Sequence, residues 1–276
     1  MIVRECLQQG AAKLSEQKVE DAALESEILL RHVLGFDRVR LYQNPEQELL
    51  PPELNLFWDL INRRISGEPS AYIIDNKEFY GLDFYVQKGV LIPRPETEHL
   101  VDKALELSKR YPNPVIADIG TGSGAIAVSL ASKIAQAKIY AIDISLDALM
   151  VADINCHKHN VNKKVALLNG NLLEPLPEKA DIIAANLPYV RTEDVPAVRS
   201  EPELALDGGE DGLDVIRLLC GQVEEKINDG GHLLLEIGLG QRDAVIGLLK
   251  VIPCIKNIAI IPDLRGIDRI IHTAFR

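Results

Sequence analysis

Val115-Ile116-Ala117-Asp118-Ile119-Gly120-Thr121-Gly122-Ser123-Gly124 joins an apolar run of strand length to three alternating glycines. A short run rich in branched apolar residues reads as a buried strand of a parallel sheet. The glycines let a ligand approach the backbone, and the helix predicted from Ser123 to Ile134 offers free N–H groups to an anion at its start. The next predicted strand ends in Ile142-Asp143, 25 positions after Asp118, where a carboxylate can accept hydrogen bonds from ribose hydroxyls. With Ala125 the glycine turn also satisfies a dinucleotide pattern. A nucleoside cofactor therefore follows from these residues, and a nicotinamide remains one of the choices.

Outward from this turn the pattern alternates. Strands are predicted over 115–119, 137–143, 165–168, 181–185 and 231–237, with two more near Ile258 and Ile270. Helices are predicted over 123–134 and 145–160, and from about Leu213 and Gln241. Strand and helix in alternation imply an α/β fold built on a parallel, doubly wound sheet.

The fourth strand of this series runs into Ala184-Ala185-Asn186-Leu187-Pro188-Tyr189-Val190. Pro188 lacks an N–H and pushes Leu187 toward an extended conformation, so the chain leaves the sheet as a fixed loop. Such a loop lies at the carboxyl edge of the strands, where ligands of open α/β sheets bind. Asn186 offers a carbonyl acceptor and an amide donor, the Leu187 carbonyl is a second acceptor, and Tyr189 supplies a flat face. Two acceptors beside an aromatic wall suit a planar NH2 group that is positioned and not deprotonated. The same residues are also ordinary turn formers, and the stretch alone does not separate the two uses.

Ahead of the sheet, residues 1 to about 70 read as helical, with one helix from Asp21 to Val33 stopped by Gly35 and another from Pro51-Pro52 through Leu54, Phe57, Trp58, Ile61 and Ile65. Trp58 reads as core. Lys77 to Val86 carries aromatics around Gly81-Leu82-Asp83 and is expected to form a β-hairpin between two domains. The expected organisation is a helical domain over 1–75, a hairpin linker over 76–90 and a sheet domain over 91–276. In Leu91-Ile92-Pro93-Arg94-Pro95-Glu96-Thr97-Glu98, two prolines stiffen a loop around Arg94. That side chain either reaches an anionic group of a substrate or forms a surface ion pair.

Composition limits the functions further. The 276 residues carry 41 acidic against 30 basic side chains, a net charge of −11, which opposes broad binding of a phosphate backbone. No apolar run approaches membrane length and no secretory leader is recognisable. Cys6, Cys156, Cys220 and Cys254 show no paired spacing and read as reduced cysteines of a cytoplasmic protein. Cys156 and His159 lie one helical turn apart, but no further ligands lie nearby in sequence, and no metal is expected.

The glycine turn, Asp143 and Asn186-x-Pro188-Tyr189 together resemble S-adenosylmethionine-dependent methyltransferases that modify amide or amine nitrogens. Four further stretches narrow the resemblance: Leu91 to Glu98, Glu201 to Leu213 (Glu-Pro-Glu-Leu-Ala-Leu-Asp-Gly-Gly-Glu-Asp-Gly-Leu), Leu234-Leu235-Glu236-Ile237-Gly238 and Asp263-Leu264-x-Gly266-x-Asp268-Arg269. They are similar to the PrmC/HemK family, whose members methylate the glutamine side chain of the Gly-Gly-Gln motif in class-1 peptide chain release factors. The resemblance implies a Rossmann-like methyltransferase sheet with a small helical substrate-recognition domain before it. It also implies S-adenosyl-L-methionine as cofactor, with S-adenosyl-L-homocysteine as product, and a release factor as partner, with neither nucleic acid nor membrane. A monomer is expected.

By the same resemblance, Gly120, Thr121, Gly122, Ser123, Gly124, Asp143, Asn171, Leu172 and Asn186 hold the cofactor. Asn186, Leu187, Pro188 and Tyr189 hold the glutamine and carry catalysis, and Arg94 contributes to substrate binding. Two positions depart from the family pattern. Leu187 stands where a first proline is usual, which leaves the backbone acceptor in place but loosens the loop. Asn171-Leu172 stands where an acid and an aromatic are usual, so weaker cofactor affinity is expected from lost stacking. Rival readings are methylation of a ribosomal-protein glutamine, a DNA adenine methyltransferase, a nicotinamide dehydrogenase and a non-catalytic binding module. A DNA enzyme would need a basic, base-flipping surface, and the acidic charge and the family stretches oppose it.

Overall fold

The computed structural model describes residues 1–198 and 200–276. They form two compact units, Met1–Asn76 and Lys77–Arg276.

The first unit is helical: α1 Val3–Glu16, α2 Ala22–Leu34, α3 Arg38–Gln43, α4 Pro51–Ile65 and the short α5 Ser70–Ile73. Local chemistry sets the boundaries. Asp37 accepts the Arg40 N–H at the start of α3, Glu53 accepts the Leu50 N–H at the start of α4, and Gly35 closes α2 in the left-handed region at φ +63°. Leu14, Leu29, Leu30, Phe57 and Ile61 are fully buried at the centre, and Trp58 packs on them half-buried.

The second unit opens with a hairpin of β1 Lys77–Phe79 and β2 Leu82–Phe84. Its turn is Tyr80-Gly81, at φ +54° and +72°, and not the Gly-Leu-Asp expected. A two-residue turn with both φ positive matches the twist of an antiparallel pair, which takes Leu82 and Asp83 into the second strand. Phe79 and Phe84 are buried in the core of this unit. There follow α6 Glu98–Ser108, β3 Val115–Ile119, α7 Ala125–Lys133, β4 Lys138–Asp143, α8 Leu146–Lys158, β5 Val165–Asn169 and β6 Ala180–Ala185. After single turns of 3-10 helix come α9 Asp214–Lys226, β7 Ile227–Glu236, α10 Arg242–Lys250, β8 Ile255–Pro262 and β9 Asp268–Phe275.

Seven strands make one sheet in the order β5-β4-β3-β6-β7-β9-β8. Five are parallel, as the alternation predicts, but β9 is antiparallel to both β7 and β8, which corrects the expectation of a wholly parallel sheet. The cause is the connection between the last two strands. Only Asp263 to Ile267 separate them, too few residues for a crossover, so the chain turns back and β9 inserts between β7 and β8. Asp263 stabilises the reversal by accepting the N–H groups of Arg265 and Ile267.

The strand order reverses between β3 and β6, where Ile119 pairs with Ala185. The glycine turn and Asn186 therefore leave the sheet side by side, 66 residues apart in sequence.

Candidate active site

A cavity of about 250 Å³ lies at this switch point, against the carboxyl ends of the strands. Gly120, Thr121, Gly122 and Ser123 line it, and Gly124 caps α7 just behind. The turn is held from two sides. The N–H groups of Gly120 and Thr121 both donate to the Ile142 carbonyl, and the Gly122 N–H donates to Asp143 Oδ2 at 2.9 Å. A Cβ on Gly120 would stand 3.3 Å from Leu187 Cδ2, so Leu187, itself buried, packs on the turn.

Asp118 lies fully buried beneath this turn. Its Oδ2 accepts the Thr121 hydroxyl at 2.6 Å and the Ala127 N–H at 3.1 Å, whereas Oδ1 has no partner among the described residues. Burial outweighs those hydrogen bonds and pushes the carboxyl up to about 7.

Asp143, Ile144, Asn171 and Leu172 line the cavity beyond the turn. Both Asp143 oxygens accept backbone N–H groups, from Gly122 and Ser145, which aims the carboxylate and leaves further lone pairs for a ribose. Burial nevertheless raises its pKa above the ordinary value. Ile144 is 58 % exposed and Leu172 is buried, so the cavity carries aliphatic surface from both. Leu172 adopts φ +52°, a conformation that costs a branched side chain roughly 1–2 kcal/mol. Asn171 donates to Glu174. The lining offers a backbone without Cβ groups, a carboxylate and an apolar slot, and these suit a nucleoside cofactor.

Asn186, Leu187 and Pro188 line the same cavity. The Asn186 Nδ2 donates to Thr97 Oγ1 at 3.1 Å, and the Thr97 hydroxyl donates to Glu236 Oε2 at 2.7 Å. Glu236 also accepts the Tyr189 hydroxyl, at 3.4 Å. Among the described residues nothing donates to Asn186 Oδ1. Thr97 is 4 % exposed and Glu236 is 1 % exposed, and burial lifts the Glu236 carboxyl to about 7. Tyr189 stands outside the cavity lining, half-buried against the core, with its phenol pushed up to about 12 by burial and by the neighbouring Glu236.

Arg94 lines the cavity from the other wall and pairs with Glu201 at 2.5 Å. The Glu201 side chain is only 3 % exposed, and Pro202, Leu204 and Ala205 just after it also line the cavity. Cys156 is buried while His159 bonds the Asp83 carbonyl, and among the described residues no three potential metal ligands cluster.

The structure thus gathers Gly120 to Ser123, Asp143, Asn171, Leu172, Arg94 and Asn186 to Pro188 around one cavity. Sequence reasoning missed Ile144, Thr97, Glu236 and Asn155. Asn155 is buried in α8, where it donates to the carbonyls of Tyr85 and Ser123 and accepts the Tyr85 N–H. Thr97 and Glu236 sat inside stretches noted for resemblance, but 139 residues separate them, and only the fold brings them together.

Residues 5–74 match the family described as PrmC N-terminal domain, and residues 98–200 match the family described as Methyltransferase small domain. A release factor glutamine methyltransferase of Moorella thermoacetica is 43 % identical over 274 residues, covering 98 % of this chain and 97 % of that protein. One of Geobacter sulfurreducens is 40 % identical, covering 98 % and 95 %. The fold is shared with a methyltransferase of Pyrococcus furiosus, at TM-score 0.53 and 17 % identity, covering 78 % of this chain and 95 % of that one. Full-length relatives at this identity leave one placement: the chain belongs to the release factor glutamine methyltransferase family.

Proposed function

We propose that this chain transfers a methyl group from S-adenosyl-L-methionine to the side-chain amide nitrogen of the glutamine in the Gly-Gly-Gln motif of class-1 release factors. The observation that carries the reading is Asn186. Its Nδ2 is committed to Thr97 while its Oδ1 is without a donor among the described residues, on the wall of a cavity that also contains the glycine turn and Asp143.

Gly120 to Gly124 and Asp143 would hold the polar groups of the cofactor, and Ile144, Asn171 and Leu172, which line the same cavity, would receive its base. Bound there, the cofactor supplies a sulfonium methyl group as electrophile. Asn186 Oδ1 and the Leu187 carbonyl accept the two N–H groups of the glutamine amide, with Tyr189 behind them. An amide nitrogen is a weak nucleophile because its lone pair is delocalised. Two fixed acceptors favour positive charge on that nitrogen and turn it toward the electrophile, and alignment removes much of the entropic barrier. The methylated nitrogen then loses one of its two protons to solvent, and S-adenosyl-L-homocysteine is the other product. Arg94 and Glu201 brace the wall by which the acceptor peptide enters. The helical unit, Met1–Asn76, recognises the rest of the factor, and a single copy of the chain acts, in the cytoplasm where the factors work.

Asn186→Ala is expected to lower kcat on the order of 10²- to 10³-fold, the usual effect of losing one positioned polar group, with cofactor affinity changed little. The assay is methyl transfer from labelled S-adenosylmethionine to a purified release factor, beside the same factor with its Gly-Gly-Gln glutamine changed to alanine. Equal labelling of both factors, or full turnover by the Asn186 variant, would overturn the reading.

A further inference from the structure

We infer that Thr97 and Glu236 are positioning residues for methyl transfer: a one-way chain of hydrogen bonds, from Asn186 through Thr97 to the Glu236 carboxylate, holds the Asn186 amide with Oδ1 toward the acceptor. This rests on the reading of Asn186 given above and adds what makes that residue usable.

An asparagine side chain is nearly symmetric in shape, and a half-turn about its last bond exchanges acceptor for donors. The flipped amide would present N–H groups to the N–H groups of a glutamine, a donor facing a donor. Something must set the polarity. A carboxylate only accepts, so the single hydrogen of the Thr97 hydroxyl is drawn to Glu236 Oε2, at 2.7 Å. Thr97 Oγ1 is then left only to accept, and the group that donates to it is Asn186 Nδ2, at 3.1 Å. Thr97 is itself rigid: it ends the single 3-10 turn Pro95–Thr97, and its N–H donates to the Arg94 carbonyl.

The polarity depends on the charge of Glu236. The groups that face it are Thr97, the Tyr189 hydroxyl, the Arg269 guanidinium and the Glu96 carboxylate. Thr97, Arg269 and Tyr189 favour the ionised form and Glu96 opposes it, but burial is the largest influence and raises the carboxyl to about 7. Below that pH Glu236 carries a proton of its own and can donate to Thr97, which frees the Thr97 hydrogen for Asn186 Oδ1. The amide then has no fixed direction.

The test is kcat from pH 6 to 9 with cofactor and release factor both saturating, for the wild type, Thr97→Val, Thr97→Ser, Glu236→Gln and Asn186→Ala. The wild type is expected to lose kcat as pH falls through about 7. Thr97→Val keeps the shape without the hydroxyl, and is expected to fall roughly tenfold in kcat at pH 8, with cofactor KM within about twofold, because one hydrogen bond is lost. Thr97→Ser should restore both rate and profile. Glu236→Gln should lack the acid limb, because its side chain no longer titrates. Thr97→Val with wild-type kcat, or an acid limb that persists in Glu236→Gln, overturns the inference while an inactive Asn186→Ala leaves the proposed function standing. A fully active Asn186→Ala instead removes the reading on which both rest.

Discussion

Gly122 and Gly124 both lie in the left-handed region, at φ +55° and +79°, yet they impose different requirements. A Cβ on Gly122 would meet nothing closer than the Gly120 carbonyl oxygen at 4.0 Å, so only the backbone conformation penalises a side chain there. A Cβ on Gly124 would stand 3.1 Å from Ala152 Cβ and 3.2 Å from Ala152 Cα, on a neighbouring helix that cannot yield like a flexible side chain. Gly122→Ala is therefore expected to lose about 1 kcal/mol of stability, and Gly124→Ala about 2–4 kcal/mol, since overpacking adds to the conformational strain. Urea unfolding of the two variants without cofactor checks the order, and equal losses would show that the α7–α8 approach is not tight. At this scale the glycine turn, Asp143 and Asn186 were legible because each is announced by its own neighbours in sequence. Thr97 was not, because a threonine after a proline-rich loop has no local mark of its use, and its partner Glu236 lies in another strand.

Elements were legible where periodicity alone determines them. The alternation from Val115 to Ile237 correctly located the five parallel strands and their helices. What it did not give was direction at the far edge, because β8 and β9 are apolar runs of the same kind as the others and only the five residues between them force the reversal. Nor did it give the ties between elements. Asn155 faces inward from α8, and its side chain satisfies three backbone groups: the Tyr85 N–H, the Tyr85 carbonyl and the Ser123 carbonyl. One side chain thus fastens the segment after β2 and the glycine turn to the same helix. Asn155→Leu leaves the buried Ser123 carbonyl and the part-buried Tyr85 groups without this partner and is expected to lose roughly 2–4 kcal/mol of stability. Weaker cofactor binding should accompany it, because Ser123 is released. Calorimetry on the folded variant separates the two effects, and unaltered affinity would mean that the turn is held by Asp143 and Ile142 alone.

Over the whole molecule, among the described residues, burial raises Asp143 above its ordinary value and lifts two further carboxyl groups, Asp118 and Glu236, to about 7. Their folded pKa values exceed the unfolded ones, so the stability they contribute is fully present below about pH 4 and is lost as pH rises through 7. His232 and His272 act with the opposite sign. Burial lowers both, His272 to about 4, so their contribution is present above about pH 6.5 and is lost in acid. Above about pH 7 the histidines are mostly neutral in both states and contribute little, which leaves the carboxyl groups to set the slope there. The net charge of −11 adds self-repulsion in the same direction. The unfolding free energy of the cofactor-free protein, from urea titrations, is therefore expected to fall from pH 7 to pH 8, by roughly 0.4 kcal/mol for each of the two carboxyl groups. Asp118→Asn combined with Glu236→Gln should remove most of that slope, since neither amide titrates. A slope that survives the double substitution would place its origin in the surface charge and not in these two buried groups.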